Sequence, residues 1–118
     1  MKVNILGTEY IVKHSDFKDV PEFEKRGICA YCDDTLKEIV QCNLKTYPNF
    51  ENETDEFIKI NERETLRHEI IHAFLSESGL ADSSCRFEKG WANNEEMVDW
   101  IALQFPKILK AFNETNCL

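Results

Sequence analysis

The sequence predicts an α+β fold, in which a small antiparallel sheet of about four strands packs on a long helix and a C-terminal helix. Three observations lead to this prediction. Short runs of β-branched and aromatic residues, separated by turn signals, occupy the first third of the chain. Residues 55–77 contain neither Gly nor Pro, so one long helix can pass through them. After residue 93, apolar residues recur at helical spacing.

The first third of the chain is expected to form the sheet. Residues 2–6 and 9–14 make a predicted hairpin, because both runs favour strands and Gly7 provides a turn between them. The third and fourth strands are predicted at residues 28–31 and 36–42. The last run is half polar, which favours an edge position in the sheet.

The central helix is predicted at residues 55–77. Asn52 or Thr54 can cap its N-terminus, and Gly79 can end it as the C-cap. The alternative is a short strand at residues 57–60 followed by a shorter helix. No turn signal separates the two segments, so the single helix is favoured.

The central helix carries the motif His68-Glu69-x-x-His72. Residues four apart in a helix lie one turn apart with an angular offset of about 40°, so both histidines project from one face. That spacing allows two imidazoles to bind one zinc ion in adjacent tetrahedral positions. Glu69 can lean toward the open side of the metal, where it can take a proton from a zinc-bound water.

A motif this short also occurs by chance, and the alternative is a solvated helix that happens to carry two histidines. Three observations favour the zinc site. The chain has only 3 histidines, and two of them lie in this motif. Apolar residues flank the motif, and charged groups in a buried helix are rare unless they are paired or bind a metal. A candidate third ligand lies downstream.

The C-terminal helix is predicted at about residues 94–104, with Asn93 as its N-cap. Pro106 is expected to kink this helix or to start a second one. Glu95 is the candidate third zinc ligand, and Glu96 is the alternative.

Glu95 is favoured because only Glu95 has a carboxylate, that of Asp99, one turn later. Asp99 can accept a hydrogen bond from the outer nitrogen of a ligand histidine. The sequence therefore predicts one zinc ion with three protein ligands and one open position, as in catalytic sites.

The two motifs together resemble the gluzincin arrangement of zinc metallopeptidases, with His68-Glu69-x-x-His72 followed by Asn94-Glu95-x-x-x-Asp99. Size and composition are similar to the ImmA/IrrE-type minimal zincins of bacteria, phages and mobile elements. The resemblance covers about residues 60–108. Carried over by position, it implies the zinc ligands His68, His72 and Glu95, the general base Glu69, and Asp99 as hydrogen-bond partner of a ligand.

The resemblance implies a zinc-dependent metalloendopeptidase that hydrolyses a peptide bond of a protein substrate, with a zinc-bound water activated by Glu69. In zincins, the edge strand above the metal binds an extended substrate by adding it to the sheet, and the resemblance suggests this role for residues 36–42. The alternative is an edge that Lys37 and Glu38 protect against pairing. The chain differs from typical ImmA/IrrE proteins in lacking an obvious N-terminal helix and a DNA-binding domain, so the substrate does not carry over.

Two other functions fit the sequence. One is a zinc-binding regulatory or interaction protein of a phage or mobile element, with weak or no proteolysis. The other is a closed structural zinc site, in which a fourth ligand such as Cys85 replaces the water. The candidates for stabilising an oxyanion are His14, Tyr31, Tyr47 and Arg86, and the sequence does not choose among them.

Composition bounds the remaining possibilities. The chain has 118 residues, which fits a single domain spanning residues 1–118, and its formal net charge is −8. This charge argues against binding nucleic acid or anionic lipid. No apolar run approaches the roughly 20 residues of a membrane helix, and the first residues lack the features of a signal peptide. We therefore expect a cytoplasmic protein.

The cysteines number 5, an odd count that argues against a full disulfide framework. Cys29 and Cys32 form a lone C-x-x-C, which can mark half of a second zinc site or a redox pair. Asp33 and Asp34 follow it, and their charges raise the pKa of a nearby thiol. Reduced thiols are the favoured interpretation.

Overall fold

The structure is a computed structural model that describes residues 1–84, 88 and 90–118. Within those residues, the protein forms a four-stranded sheet and four α-helices. The strands are β1 (Lys2–Ile5), β2 (Thr8–Ser15), β3 (Ala30–Asp33) and β4 (Glu38–Cys42). The helices are α1 (Pro21–Arg26), α2 (Asp55–Glu77), α3 (Leu80–Ser84) and α4 (Glu95–Glu114). The predicted α+β class is confirmed. Among the described helices, none is both long and apolar enough to cross a membrane.

The sheet has the strand order β1-β2-β4-β3 and is mixed. β1 pairs with β2 and β3 with β4 in antiparallel fashion, whereas β2 and β4 are parallel. A parallel pair needs a crossover connection, and residues 16–37, which contain α1 and β3, supply it. The sequence had predicted an antiparallel sheet, whereas the observed sheet is mixed because β2 and β4 are parallel.

The predicted edge position of residues 36–42 is wrong, because β4 lies between β2 and β3. Ile39, Val40 and Cys42 are buried. The polar residues at the start of this segment did not mark an edge, because they form ion pairs with neighbouring elements: Lys37 pairs with Glu77 and Glu38 pairs with Lys13. The exposed edge on this side of the sheet is β3.

The third predicted strand begins two residues later than expected. Residues 28–31 were predicted, and β3 covers Ala30–Asp33. The side chain of Asp33 organises the following turn, since its Oδ1 accepts hydrogen bonds from the N–H groups of Thr35 and Leu36 at 3.0 and 2.9 Å. Cys32 consequently belongs to the strand and not to the turn.

The two faces of the sheet are covered by different helices. On one face, Ile39 packs against Ala73 of α2. On the other face, Val40 packs with Phe23 of α1. Gly27 is the C-cap of α1, and its φ of 62° is readily adopted by glycine. This turn directs the chain from α1 into the edge strand β3.

α2 has the predicted bounds. The Oγ1 of Thr54 accepts a hydrogen bond from the N–H of Phe57 at 3.2 Å, so Thr54 is the N-cap. The helix is unbroken, and the alternative strand at residues 57–60 does not form. The C-cap is Ser78 and not Gly79, which comes directly after it with a φ of 79°.

α4 is longer than predicted, because it passes through Pro106 and ends at Glu114. Its N-cap is Asn94 and not Asn93, since the Asn94 side chain accepts a hydrogen bond from the N–H of Met97. Proline has no N–H for the carbonyl four residues earlier. That carbonyl belongs to Ala102, and Nε of Arg67 in α2 donates to it at 2.6 Å. A tertiary hydrogen bond therefore replaces the missing helical one.

Glu77 joins the end of α2 to the sheet. Its carboxylate accepts hydrogen bonds from Thr8 Oγ1 and from the Tyr10 hydroxyl, each at 2.8 Å, and pairs with Lys37. The hydrogen bonds from Lys37, Tyr10 and Thr8 lower the pKa of Glu77 to about 2. The ordinary pKa of glutamate is about 4.3.

Glu77→Gln is expected to lower stability at pH 7. Because the folded pKa lies below the unfolded value, the carboxylate stabilises the fold above about pH 4 and loses this contribution as the pH falls toward 2. Urea unfolding should therefore show a lower free energy of unfolding for Glu77→Gln than for wild type at pH 7. This gap in unfolding free energy should narrow below about pH 4. Glu9→Gln, which removes an exposed pair with Lys2, is the control and should show a small gap. An equal gap for Glu77→Gln at pH 7 and pH 2.5 would contradict this account.

Candidate metal centre

The predicted ligands His68, His72 and Glu95 lie together where α2 meets the first turn of α4. The two histidine Nε2 atoms are 3.0 Å apart. Oε2 of Glu95 lies 3.2 Å from Nε2 of His68 and 3.3 Å from Nε2 of His72. Glu96 is not part of this group among the described residues.

These separations fit a zinc ion. Zinc binds histidine nitrogen at about 2.0–2.1 Å in tetrahedral geometry, which places neighbouring ligand atoms about 3.3 Å apart. The three candidate ligand atoms all lie within 4.8 Å of one another. The donor set, two imidazoles and one carboxylate, is one that catalytic zinc sites use.

Asp99 fixes the orientation of His68. Its Oδ1 lies 2.7 Å from Nδ1 of His68. An ionised carboxylate only accepts hydrogen bonds, so Nδ1 carries the proton, and Nε2 of a neutral His68 presents a lone pair. This lone pair points at the other two ligand atoms. If Nε2 of His72 is unprotonated as well, the three ligand atoms repel one another unless a cation or proton lies between them.

Glu69 lies beside this group and is buried, with 7% of its surface exposed. Burial is the main cause that raises the pKa of Glu69 to about 7, and the charge of Glu95 contributes to this rise. The charges of His68 and Arg26 oppose this rise, as does a hydrogen bond from the backbone N–H of Cys32. That hydrogen bond ties the carboxylate to the edge strand β3.

Two cavities meet at the metal centre, and both are lined by His68 and Glu69. The larger, of about 410 Å³, extends toward the C-terminal half of α2 and is called the Arg26 cavity after the residue at its rim. The smaller, of about 240 Å³, extends toward the N-terminal half of α2. Ala30 of β3 lines both cavities, so the edge strand forms one wall of a continuous cleft.

Of the four residues considered for oxyanion stabilisation, the three that the structure describes are not brought to the candidate metal centre. His14 Nε2 lies 3.3 Å from Oε1 of Glu62, and Tyr47 packs against aromatic rings of the core. Tyr31 borders the Arg26 cavity, but neighbouring strand residues point to opposite faces. Since Cys32 packs on the α2 side, the ring of Tyr31 lies on the α1 side. Arg86 and Cys85, the candidate fourth ligand, lie outside the described residues.

Sequence reasoning missed Arg26. It lines the cavity and lies close enough to Glu69 to lower its pKa. The N-terminal proline of α1 together with the glycine that follows Arg26 is the signal that identifies this short helix.

The C-x-x-C cysteines do not form a redox pair in this structure. Cys29 and Cys32 are free thiols. Burial raises the pKa of Cys29, and burial together with the charge of Glu69 raises the pKa of Cys32 to about 12. Both side chains are therefore protonated and unreactive at neutral pH.

Comparison with known proteins adds no family to this description, since no protein-family model, curated protein or solved structure matches the chain.

Proposed function

We propose that the chain is a zinc-dependent peptidase of the minimal gluzincin type, in which His68, His72 and Glu95 bind one zinc ion and Glu69 is the general base. The observation that carries this proposal is the convergence of three ligand atoms within 4.8 Å beside a buried carboxylate. An open cleft gives an extended substrate access to both.

When bound, a zinc ion supplies Lewis-acid chemistry, which polarises a scissile carbonyl and lowers the pKa of a water molecule. Glu69 takes a proton from the attacking water and passes it to the leaving amine as the carbon–nitrogen bond breaks. Burial of the Glu69 carboxylate raises its pKa and so makes it a better proton acceptor than an exposed glutamate. The N–H of Cys32 holds the carboxylate in place between transfers.

We propose β3, an exposed edge of the sheet, as the substrate-binding strand in place of residues 36–42, because β4 lies inside the sheet. The N–H of Cys42 donates to the carbonyl of Cys29 at 2.8 Å, so the residue pairs at Cys29, Tyr31 and Asp33 exchange the hydrogen bonds with β4. The carbonyls of Ala30 and Cys32 and the N–H of Ala30 then point away from β4, toward the cleft, whereas the N–H of Cys32 donates to Glu69. An extended peptide can add to this edge as a further strand.

Peptide hydrolysis is tested directly with the zinc-loaded chain and a library of randomised peptides, with products identified by mass spectrometry. The proposal expects cleavage that stops when the zinc is removed by a chelator and resumes when zinc is restored. A zinc-loaded chain that cleaves no peptide would contradict it.

That negative result would favour the second candidate function, a zinc-binding interaction protein. An apolar surface supports this candidate: a cavity of about 540 Å³ between α2 and α4 is lined by residues including Phe74 and Phe105, which are 40% and 48% exposed. Exposed apolar patches often mark binding sites for other proteins.

We also propose a cytoplasmic location for the protein, since its described cysteines are free thiols.

Removing Asp99 tests the orientation of His68. Asp99→Ala is expected to weaken zinc binding about 10- to 100-fold, because the outer nitrogen of a ligand histidine loses its carboxylate partner. Glu96→Ala, three residues nearer the helix start and outside the ligand group, is the control and should keep wild-type affinity. Competition with a chromophoric zinc chelator measures both. Equal affinities in the two variants would show that Asp99 has no part in the site.

A further inference from the structure

Arg26 occupies the rim of the cleft. It is the last residue of α1, and the turn at Gly27 places it next to the edge strand β3. Its guanidinium carbon lies 5.8 Å from the centroid of the Tyr31 ring, which is within the range of a cation–π contact. The contact limits the orientations of an otherwise exposed side chain, and Arg26 also lines the cavity.

The guanidinium has no acidic partner among the residues described. None of the ion pairs in that part of the chain includes Arg26. Asp34 lines the same cavity, but its Oδ2 accepts a hydrogen bond from Ser76 Oγ at 2.7 Å instead of pairing with Arg26. In a chain with a net charge of −8, a cation without a carboxylate partner beside a cleft is available to a ligand.

The two ends of the cleft differ in charge. Apart from the histidine ligands, Arg26 is the only cationic residue among the described residues that line the larger cavity. The smaller cavity is lined by Glu64 and Asp99 and by no described lysine or arginine. A guanidinium is therefore present on one side of the candidate metal centre, together with the carboxylate of Asp34, and the other side has carboxylates but no described lysine or arginine.

We propose that Arg26 makes the Arg26 cavity selective for peptides that carry a carboxylate there, either an acidic side chain or a free C-terminus. The inference rests on the proposed peptidase function and names its substrate class. Arginine suits this role because its planar guanidinium can donate two parallel hydrogen bonds to one carboxylate. Arg26 thus determines specificity and does not act on the reacting atoms.

Binding of small hydroxamates to the zinc-loaded chain tests this without requiring turnover, because a hydroxamate group chelates the metal. Two series are compared by calorimetry: alkyl hydroxamates with about two to five methylene groups, and the same compounds ending in a carboxylate. At one chain length, the compound that ends in a carboxylate should bind roughly fivefold more tightly than the alkyl compound of the same length at low ionic strength. High salt should reduce this preference.

Three variants separate Arg26 from its surroundings. Arg26→Ala should abolish the preference and leave binding of the alkyl compounds unchanged. Arg26→Glu should reverse the preference, so that compounds of the same length ending in an amine bind more tightly than those ending in a carboxylate. Lys25→Ala removes an exposed cation of the same helix that does not line the cavity, and it should behave as wild type.

Three dipeptide hydroxamates then distinguish the two sources of carboxylate: one with glutamate and a C-terminal amide, one with glutamine and the amide, and one with glutamine and a free C-terminus. Tighter binding of the first identifies a side-chain carboxylate, and tighter binding of the third identifies a terminus. Wild type that binds hydroxamates without preferring a carboxylate at any length would overturn this inference and leave the proposed function standing. A chain that binds no zinc would overturn both.

Discussion

Glu69→Gln is expected to lower the rate of peptide hydrolysis about 10²- to 10⁴-fold while one zinc ion remains bound. Glutamine keeps the size of the side chain and can still accept the hydrogen bond from the N–H of Cys32. It cannot take a proton from the attacking water. The loss should therefore appear in kcat, and zinc affinity should change little, because Glu69 is not a ligand.

Steady-state hydrolysis of a peptide found in the library experiment measures this effect, together with the zinc content of each preparation. Glu56→Gln is the matched control, since Glu56 is an exposed residue in the first turn of the same helix. It should retain wild-type activity. A Glu69→Gln variant with full activity would eliminate Glu69 as the base and with it the proposed mechanism.

Glu95→Ala is expected to weaken zinc binding by more than about 100-fold. Removing only a hydrogen-bond partner of a ligand typically weakens binding about 10- to 100-fold, and Glu95 is itself a proposed ligand. The Oε2 of Glu95 lies 3.2 and 3.3 Å from the two histidine nitrogens, so its removal leaves a site with two protein ligands. The exposed side chain of Glu95 has no described role in the core, so the variant should fold.

Glu96→Ala provides the comparison for Glu95→Ala, because the two residues are neighbours in the first turn of α4 and both are exposed. Removing either one changes the net charge equally. A loss of zinc in Glu95→Ala alone would assign the third ligand. Equal retention of zinc in both variants would contradict the assignment, and loss in Glu96→Ala alone would transfer it to Glu96.

The grouping of the four candidate-site residues was predictable from sequence because helical geometry determines it locally. His68 and His72 belong to one helix, and Glu95 and Asp99 to another, so each pair shares a face by spacing alone. The bounds of α2 followed from Thr54 and the absence of Gly and Pro. Only the approach of the two helices was needed in addition.

The remaining features depend on contacts between distant residues. Lys37 and Glu38 made the fourth strand resemble an edge, whereas ion pairs with other elements let it lie in the centre of the sheet. The path of α4 through Pro106 depends on the hydrogen bond from Arg67. The sequence around Arg26 contained no metal-binding motif, and only the turn from α1 into β3 brings it to the cleft.

The central claim is that these residues form an open zinc site. The most direct test is the zinc content of the wild-type chain combined with X-ray absorption at the zinc edge. We predict one zinc ion per chain with two histidine nitrogens at about 2.0–2.1 Å, one carboxylate and one solvent oxygen. Absence of zinc, or a sulfur ligand at about 2.3 Å in place of the solvent oxygen, would contradict the account.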